Sequence, residues 1–307
     1  MIVNIAPLIV SAILLCVVAI PVIDSMEDDV SEEYTVILIS GQSNAMFAGY
    51  ANDKFLVDQD VPIIPSDVAY YYGTPTGVMY GTNNWSTQLP TWSIQPMSKG
   101  STWNIGGYEA PLARAWYENT HSKCIIINTG WGSKSITWST PGNEQYAMTC
   151  AVLDQLIEQV GADKLKWGPM FWIQGEADKN MAVSEYKTKF YQMWNSYKEY
   201  GFTDVYISLM PEKWGNSRIA QEELIGHDDI KLGSDIANTF TVEDGTYNTD
   251  LVHYTQKGRL LIADQFAEAM SYPSSESNQA IVWKIIGIVP IILIAAWIVY
   301  AVRSRME

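Results

Sequence analysis

Short apolar runs alternate with longer amphipathic stretches through the middle of this chain. Four runs are rich in Val and Ile and are bounded by Gly, Pro or Asp, as buried strands are, and they lie at residues 35–39, 124–128, 170–173 and 205–210. Helical stretches follow them and are predicted at residues 110–119, 144–160, 183–200 and 256–270. Apolar strands that alternate with helices predict an α/β domain with a central parallel sheet covered on both faces.

Residues 51–107 interrupt this alternation. Their periodicity is weak, and Gly, Pro, Asn, Thr and Trp are frequent among them. We therefore expect a long, loop-rich excursion here, of the kind that shapes substrate sites on such scaffolds.

Both ends of the chain are apolar. Residues 1–23 carry no charged side chain, and a helix of that length would cross the ~30 Å hydrocarbon core of a bilayer. A cleaved signal peptide and an uncleaved anchor both fit this segment. We favour the anchor, because neither a basic leader nor a clear cleavage site is present. A second transmembrane helix is predicted over residues 281–302, where residues 285–302 are free of charge.

The charges beside these two segments predict the orientation of the chain. Arg303 and Arg305 follow the second span directly, whereas acidic residues follow the first. The positive-inside rule then places residues 303–307 in the cytoplasm and the region between the spans outside it, at the cell surface or envelope. Within that region we expect an acidic linker over residues 24–33, one catalytic domain over residues 34–271 and a polar linker over residues 272–280.

The composition of the chain excludes some classes of function. The net charge of −15 argues against nucleic acid as a partner, since no basic stripe is present. The chain has 12 Trp and 18 Tyr, and several Trp lie in polar stretches, where they suit stacking on sugar rings or simple structural packing. No Cys/His cluster has metal-ligand spacing, so we expect no metal and no cofactor. No feature of the sequence specifies an oligomeric state.

The three cysteines are too few for a disulfide scaffold. Cys16 lies in the first apolar segment, Cys124 opens a predicted strand and Cys150 lies in a predicted helix. A bridge between Cys124 and Cys150 and two buried free thiols both remain open at this point.

The first segment with candidate catalytic residues is 39–46, where an apolar strand ends in a small, sharply turning loop. Ser43 in this loop is the candidate nucleophile, although a serine that merely turns the chain is the commoner case. His253 is the candidate general base, and Asp250 is the candidate acid that orients the imidazole. The alternatives are a surface histidine and an acid that caps the following helix.

Acyl transfer also requires donors for the oxyanion. We expect these to be the backbone N–H groups of Ser43 and Gly132 and the side-chain amide of Gln174. Gln42 and Asn44 would give polar support. Glu176 would support the site through a hydrogen bond, since Glu176 and Asp178 are too close in sequence to act as a glycosidase pair.

These segments resemble the conserved blocks of the SGNH-hydrolase branch that contains sialate O-acetylesterases and acetylxylan esterases. The resemblance spans residues 34–270 and rests on the segments at residues 41–44, 107–113, 132–138, 174–178 and 250–255. It implies a flavodoxin-like three-layer α/β/α sandwich that removes acetyl groups from carbohydrate hydroxyls without a metal.

The resemblance also implies a role for each matching residue. Ser43 would be the nucleophile, His253 the base and Asp250 the orienting acid, while Gly132 and Gln174 would be oxyanion donors beside the Ser43 amide. Two positions depart from the family pattern: Ala45 stands where Met is common, and Ser133 stands where a second glycine is usual.

The leading hypothesis is therefore a membrane-anchored serine O-acetylesterase that acts on extracellular or surface glycans. A carbohydrate-binding or attachment protein on the same fold, without turnover, is the alternative from another class. A lipase, thioesterase or peptidase with the same triad is a third reading.

Overall fold

The computed structural model of the chain describes residues 33–46, 69–73, 93–96, 107–227 and 229–271. The strands in these ranges are β1 (Tyr34–Gly41), β2 (Ala69–Gly73), β3 (Ser93–Pro96), β4 (Lys123–Asn128), β5 (Leu165–Ile173), β6 (Val205–Ser208) and β7 (Ile230–Ser234). They form one sheet in the order β3-β2-β4-β1-β5-β6-β7. Neighbouring strands are parallel, except that β3 pairs antiparallel with β2.

The middle of the sheet is buried on both faces, which is why its strands are apolar without alternation. Residues 36–39 of β1 have no exposed surface. Ile37 lies opposite Ile126 of β4, and Leu38 lies opposite Met170 of β5. Strand β1 is therefore buried on both faces and paired along both edges.

Five helices cover the sheet within the described ranges. They are α1 (Glu109–Thr120), α2 (Glu144–Val160), α3 (Val183–Tyr200), α4 (Asn216–Leu224) and α5 (Gln256–Ser271). Apart from β2 and β3, which lie at one edge, the next strand after β1 is β4, on one side of β1. The chain then crosses to the other side of β1 and adds β5, β6 and β7 in turn. Right-handed crossovers in this order place α1, with α5 packed against it, on one face and α2 to α4 on the other. The sheet is thus doubly wound, and the winding reverses beside β1.

Helix α3 shows how periodicity creates these layers. Its buried side chains lie three or four positions apart, except for one adjacent pair, and are Tyr186, Phe190, Met193, Trp194 and Tyr197. Phe190 meets Trp172 of β5 edge to face, with 6.3 Å between ring centroids. The polar residues between the buried ones face outward, so this helix has one apolar face that packs on the sheet.

The predicted strands and helices that align with β1, β4, β5 and β6 and with α1, α2, α3 and α5 are confirmed. The bounds agree within one or two residues for most of them, and those of α2 and α3 agree at both ends. The predicted α/β class with a largely parallel sheet is also confirmed.

Other elements were missed or begin elsewhere. Strand β5 begins at Leu165, five residues before the prediction, because Gly168 and Pro169 read as a turn. Here the pairing with β1 shifts register between Val36 and Leu38, and this irregularity accommodates the proline within a strand. Strands β2, β3 and β7 and helix α4 were not predicted from the sequence.

The predicted membrane spans at residues 1–23 and 281–302 lie outside the described residues. Among the helices that the structure describes, none is both long enough and apolar enough to cross a membrane. Cys124 is buried in β4 and Cys150 is half-buried in α2, and both are free thiols.

Candidate active site

Three loops leave the carboxyl ends of the neighbouring strands β4, β1 and β5. They contain Ser43 after β1, Gly132 after β4 and Gln174 after β5. Because the carboxyl ends of parallel strands share one edge of a sheet, these loops meet where the winding of the sheet reverses. The residues proposed from sequence are therefore gathered at the usual ligand position of a doubly wound fold.

Ser43 lies in a tight turn that begins as β1 ends. The backbone N–H of Gln42 donates to the carbonyl of Ile173 on β5 at 3.0 Å, and the N–H groups of Ala45 and Met46 donate back to the Gln42 carbonyl at 2.9 and 3.1 Å. The turn is thus tied to the neighbouring strand. Its serine is 8% exposed.

The imidazole of His253 lies between the hydroxyl of Ser43 and the carboxylate of Asp250. Its Nε2 is 3.0 Å from Ser43 Oγ, and its Nδ1 is 2.7 Å from Asp250 Oδ2. An ionised carboxylate only accepts hydrogen bonds, so Nδ1 carries the proton in this contact. In the neutral ring, Nε2 is then left to accept the serine proton, as nucleophilic activation requires.

Asp250 also shapes the turn that carries the histidine. Its Oδ1 accepts from the backbone N–H groups of Val252 and His253 at 2.8 and 2.9 Å, and Leu251 between them is left-handed, with φ 57°. Partial burial raises the pKa of Asp250, but hydrogen bonds from the backbone and ring of His253 outweigh this effect and hold the pKa below its ordinary value. The acid therefore stays ionised at neutral pH.

Asn44 joins the serine turn to the histidine turn. Its Nδ2 donates to the backbone carbonyl of Val252 at 2.9 Å and to the carboxylate of Glu176, and its Oδ1 accepts from the backbone N–H of Tyr254 at 2.9 Å. The side chain has no exposed surface. Asn44 thus sets the spacing between Ser43 and His253 and does not itself face solvent.

The loop after β4 places Gly132 beside the serine. A Cβ added at Gly132 would lie 3.9 Å from Ser43 Cβ. Within the described ranges, the backbone N–H groups of Ser43 and Gly132 have no hydrogen-bond acceptor, whereas the N–H of Trp131 donates to the carbonyl of Gly41. Two uncommitted N–H donors beside a serine hydroxyl are what a developing oxyanion needs.

Gln174 does not take the position expected of a third oxyanion donor. Its Nε2 donates to the carboxylate of Asp178 and lies 3.2 Å from the carbonyl of Lys134 and 3.3 Å from Gln42 Oε1. Its Oε1 accepts from Tyr186 Oη at 2.9 Å. Because these partners occupy both amide hydrogens, the geometry does not match the expected role. Gln174 instead ties the three loops together.

Gln42 and the acidic pair support the same loops. Gln42 Oε1 also accepts from the backbone N–H of Ala177 at 3.2 Å. Asp178 accepts from the backbone N–H of Ile136 at 2.8 Å. Glu176 is 7% exposed and Asp178 is 3% exposed. Both carboxylates are buried in loop contacts, an arrangement that does not suit two acids on either side of a glycosidic bond.

Ser133 gives a physical reason for the glycine that is usual at its position. It has φ 59°, in the left-handed region that favours glycine. Its side chain is exposed. The loop therefore keeps the backbone shape that a second glycine would adopt, and the strain of a non-glycine residue falls next to Gly132.

Glu176 is a carboxylic acid whose pKa is raised in this site. Burial raises its pKa from 4.5 to about 7, which hydrogen bonds from the backbone and Asn44 offset only in part, and Asp178 raises it further. The folded state therefore binds this proton more tightly than the unfolded state does. Its contribution to stability is complete below about pH 4.5 and is lost as the pH rises through about 7.

We expect Glu176→Gln to remove this pH dependence. Between about pH 4.5 and 7.5, the free energy of unfolding of the wild type should fall relative to that of the variant by about 3 kcal/mol. Denaturant titrations across this range would measure the difference, with the exposed Glu243→Gln as the control. A constant difference between wild type and Glu176→Gln would contradict the assignment.

Several positioning residues were not assigned from the sequence. Gln145, in the first turn of α2, donates to the carbonyls of Gly41 and Thr129 at 2.9 and 3.0 Å. Tyr108 Oη donates to the backbone carbonyl of Asn44 at 2.9 Å. Only the family-like segment at residues 107–113 pointed to Tyr108, and no sequence signal pointed to Gln145. In the part of the chain that the structure describes, no group of three or more His, Cys, Asp or Glu is placed to hold a metal ion.

Comparisons with known proteins give a family for the chain and folds similar to its own. A family model described as "SASA: Carbohydrate esterase, sialic acid-specific acetylesterase" matches residues 33–272. The fold is similar to that of a protein from Arabidopsis thaliana, with 14% identity and a TM-score of 0.53 over 78% of this chain and 98% of that one. No curated protein sequence matches the chain.

A second similar structure is a carbohydrate acetylesterase from Xanthomonas citri. The identity is 16% and the TM-score is 0.52, over 76% of this chain and 55% of that one. This chain thus spans about half the length of that protein. At such identities, the two likenesses concern the fold.

Proposed function

The chain belongs to the SASA family of carbohydrate esterases, and from this premise we propose that it is a serine O-acetylesterase of the SGNH-hydrolase type. It would remove acetyl groups from carbohydrate hydroxyls on a flavodoxin-like three-layer scaffold. The observation that carries the proposal is the contact of 3.0 Å between Ser43 Oγ and His253 Nε2, with Asp250 on the far side of the ring.

The proposed reaction has two halves. Ser43 Oγ attacks the acetyl carbonyl carbon as His253 Nε2 takes the serine proton, and the N–H groups of Ser43 and Gly132 stabilise the oxyanion. The bond to the sugar oxygen then breaks, and the imidazolium returns its proton to that oxygen. Water, deprotonated by His253, attacks the acetyl-serine and releases acetate with regeneration of the serine hydroxyl.

Aromatic side chains near the Gly132 loop support a carbohydrate substrate. The rings of Trp131 and Trp138 lie 6.1 Å apart, and the ammonium of Lys134 lies 3.6 Å from the Trp138 centroid. Trp131 is buried and Trp138 is half-buried, so Trp138 is the indole that would meet a sugar ring, and the ammonium suits an anionic sugar. Sialic acid, named in the description of the family, carries such a carboxylate.

A location at a membrane surface completes the proposal. The sequences at residues 1–23 and 281–302 are apolar and long enough to span a bilayer, and Arg303 and Arg305 follow the second one. The domain between them would then act on extracellular or surface glycans, with the C-terminus in the cytoplasm. Protease treatment of intact cells should cleave this domain but leave the C-terminal tail protected.

Hydrolysis of p-nitrophenyl esters by the 307-residue chain would test the function. We expect the acetyl ester to exceed the octanoyl ester in kcat/KM by at least about tenfold, because the site should be shaped for a two-carbon acyl group. Acetate release from O-acetylated sialic acid and from acetylated xylan would then identify the sugar. A preference for octanoyl esters would indicate a lipase, and folded protein with no turnover and no fluorophosphonate labelling would indicate a binding protein.

A further inference from the structure

The histidine turn is the tip of a small hairpin-like loop. Tyr247 and Tyr254 form an isolated antiparallel bridge at its base, and the backbone N–H of Asn248 donates to the carbonyl of His253 at 2.9 Å. The rings of Tyr247 and Tyr254 are 5.3 Å apart and both are buried. The base of the loop is therefore buried and bonded, whereas the tip extends beyond this bridge.

Two side chains from outside the loop hold the carbonyls of this tip. Asn44, from the serine turn, donates to the carbonyl of Val252. Lys213, from the loop after β6, donates through Nζ to the carbonyl of Leu251 at 2.6 Å. Leu251 is the left-handed residue of the turn and is 55% exposed, so its conformation receives little support from packing.

Lys213 is itself held in place by a short, bonded turn. The 3-10 turn Glu212–Trp214 follows β6, and the backbone N–H of Glu212 donates to Asn238 Oδ1 at 3.2 Å. The ammonium of Lys213 lies 4.1 Å from the centroid of the Tyr247 ring, at the base of the loop. One lysine thus contacts both the base and the tip of the loop that carries His253.

We propose that Lys213 is a positioning residue for catalysis, which holds the turn between Asp250 and His253 in its active shape. The inference rests on the proposed function of Ser43 and His253. Without the ammonium, Asn44 would hold the tip from one side only, and the left-handed conformation of Leu251 would rest on the hydrogen bonds within the loop, from Asp250 Oδ1 and from the Leu251 N–H to the Asn248 carbonyl. The Asp250–His253 pair would then sample positions away from Ser43, and small displacements of a catalytic base cost large factors in rate.

The test compares Lys213→Met with Lys213→Arg in the full chain. For p-nitrophenyl acetate, a small neutral ester, Lys213→Met should lower kcat by about 5- to 50-fold with little change in KM. Labelling of Ser43 by a fluorophosphonate should slow by a similar factor. Lys213→Arg keeps a cationic donor and should regain most of both rates. The melting temperature should stay within a few degrees, because the Tyr247–Tyr254 bridge and the bond from Asn248 to His253 do not involve Lys213.

A double-mutant cycle with Asp250→Ala separates positioning from general structure. If Lys213 acts through this pair, Lys213→Met should slow the Asp250→Ala enzyme far less than it slows the wild type. Equal factors in both backgrounds, an unchanged kcat, or a rise in KM alone would overturn the inference and leave the esterase assignment standing. If the wild type neither hydrolyses esters nor reacts with the probe, the proposed function fails, and the inference fails with it.

Discussion

Replacing Ser43 with alanine should lower kcat for acetyl esters by a factor on the order of 10⁴ or more, with residual turnover from binding and the oxyanion donors. The Ser43 hydroxyl is the group that contacts His253 Nε2, and the variant leaves the base without a nucleophile to deprotonate. The backbone N–H of residue 43 remains in place. Steady-state kinetics and fluorophosphonate labelling of the same preparation would measure the loss.

Ser40→Ala is the matched control. Ser40 lies three residues earlier on β1, is fully buried, and its hydroxyl has no hydrogen-bond partner within the described residues. Loss of an unpaired buried hydroxyl should leave stability and kcat nearly unchanged. If Ser43→Ala retained a tenth or more of the activity while Ser40→Ala abolished labelling, the nucleophile would lie elsewhere.

The sequence predicted those parts of the fold in which one local pattern dominates. Helix α3 has an unbroken apolar stripe, and β1 and β4 are apolar runs with clear boundaries, so periodicity and length were sufficient. Strand β7 contains Lys231 and Gly233 at the sheet edge, where charge protects against pairing with other chains, and it does not read as a strand. In β5, Pro169 argues against a strand when the sequence is read alone, and the irregular pairing with β1 that accommodates the proline is visible only in the structure.

In the candidate site, too, some residues could be predicted from local sequence and others could not. Ser43, Asp250 and His253 could be proposed as a triad because their chemistry and local motifs are distinctive, and the structure brings them together. The contacts that set their geometry come from residues far apart in sequence: Asn44 meets Val252 and Tyr254, and Lys213 meets Leu251. No local pattern encodes such pairs. Gln174 shows the reverse case: its motif suggested an oxyanion donor, whereas in the structure its amide nitrogen is directed at Asp178, Lys134 and Gln42.

Tight packing at Gly41 supports the serine turn, and Gly41→Ala should damage both stability and activity. A Cβ at this position would lie 1.9 Å from the carbonyl oxygen of Ile173 and 3.1 Å from Ala45 Cβ. The Ile173 carbonyl also accepts the Gln42 N–H, so it cannot retreat without breaking the bond that ties the turn to β5. We expect a loss of about 3 kcal/mol or more in the free energy of unfolding, or no folded protein.

Gly142→Ala separates this clash from the cost of an unusual backbone conformation. Gly142 has φ 84°, which side chains rarely adopt, but a Cβ there would meet no atom within 4 Å. Its substitution should therefore cost only about 1–2 kcal/mol and leave esterase activity intact. Denaturant unfolding and p-nitrophenyl acetate hydrolysis of both variants would compare them. Equal losses of stability would mean that the Ile173 carbonyl yields freely, and then the turn that presents Ser43 would owe its shape to backbone preference rather than to close packing against β5.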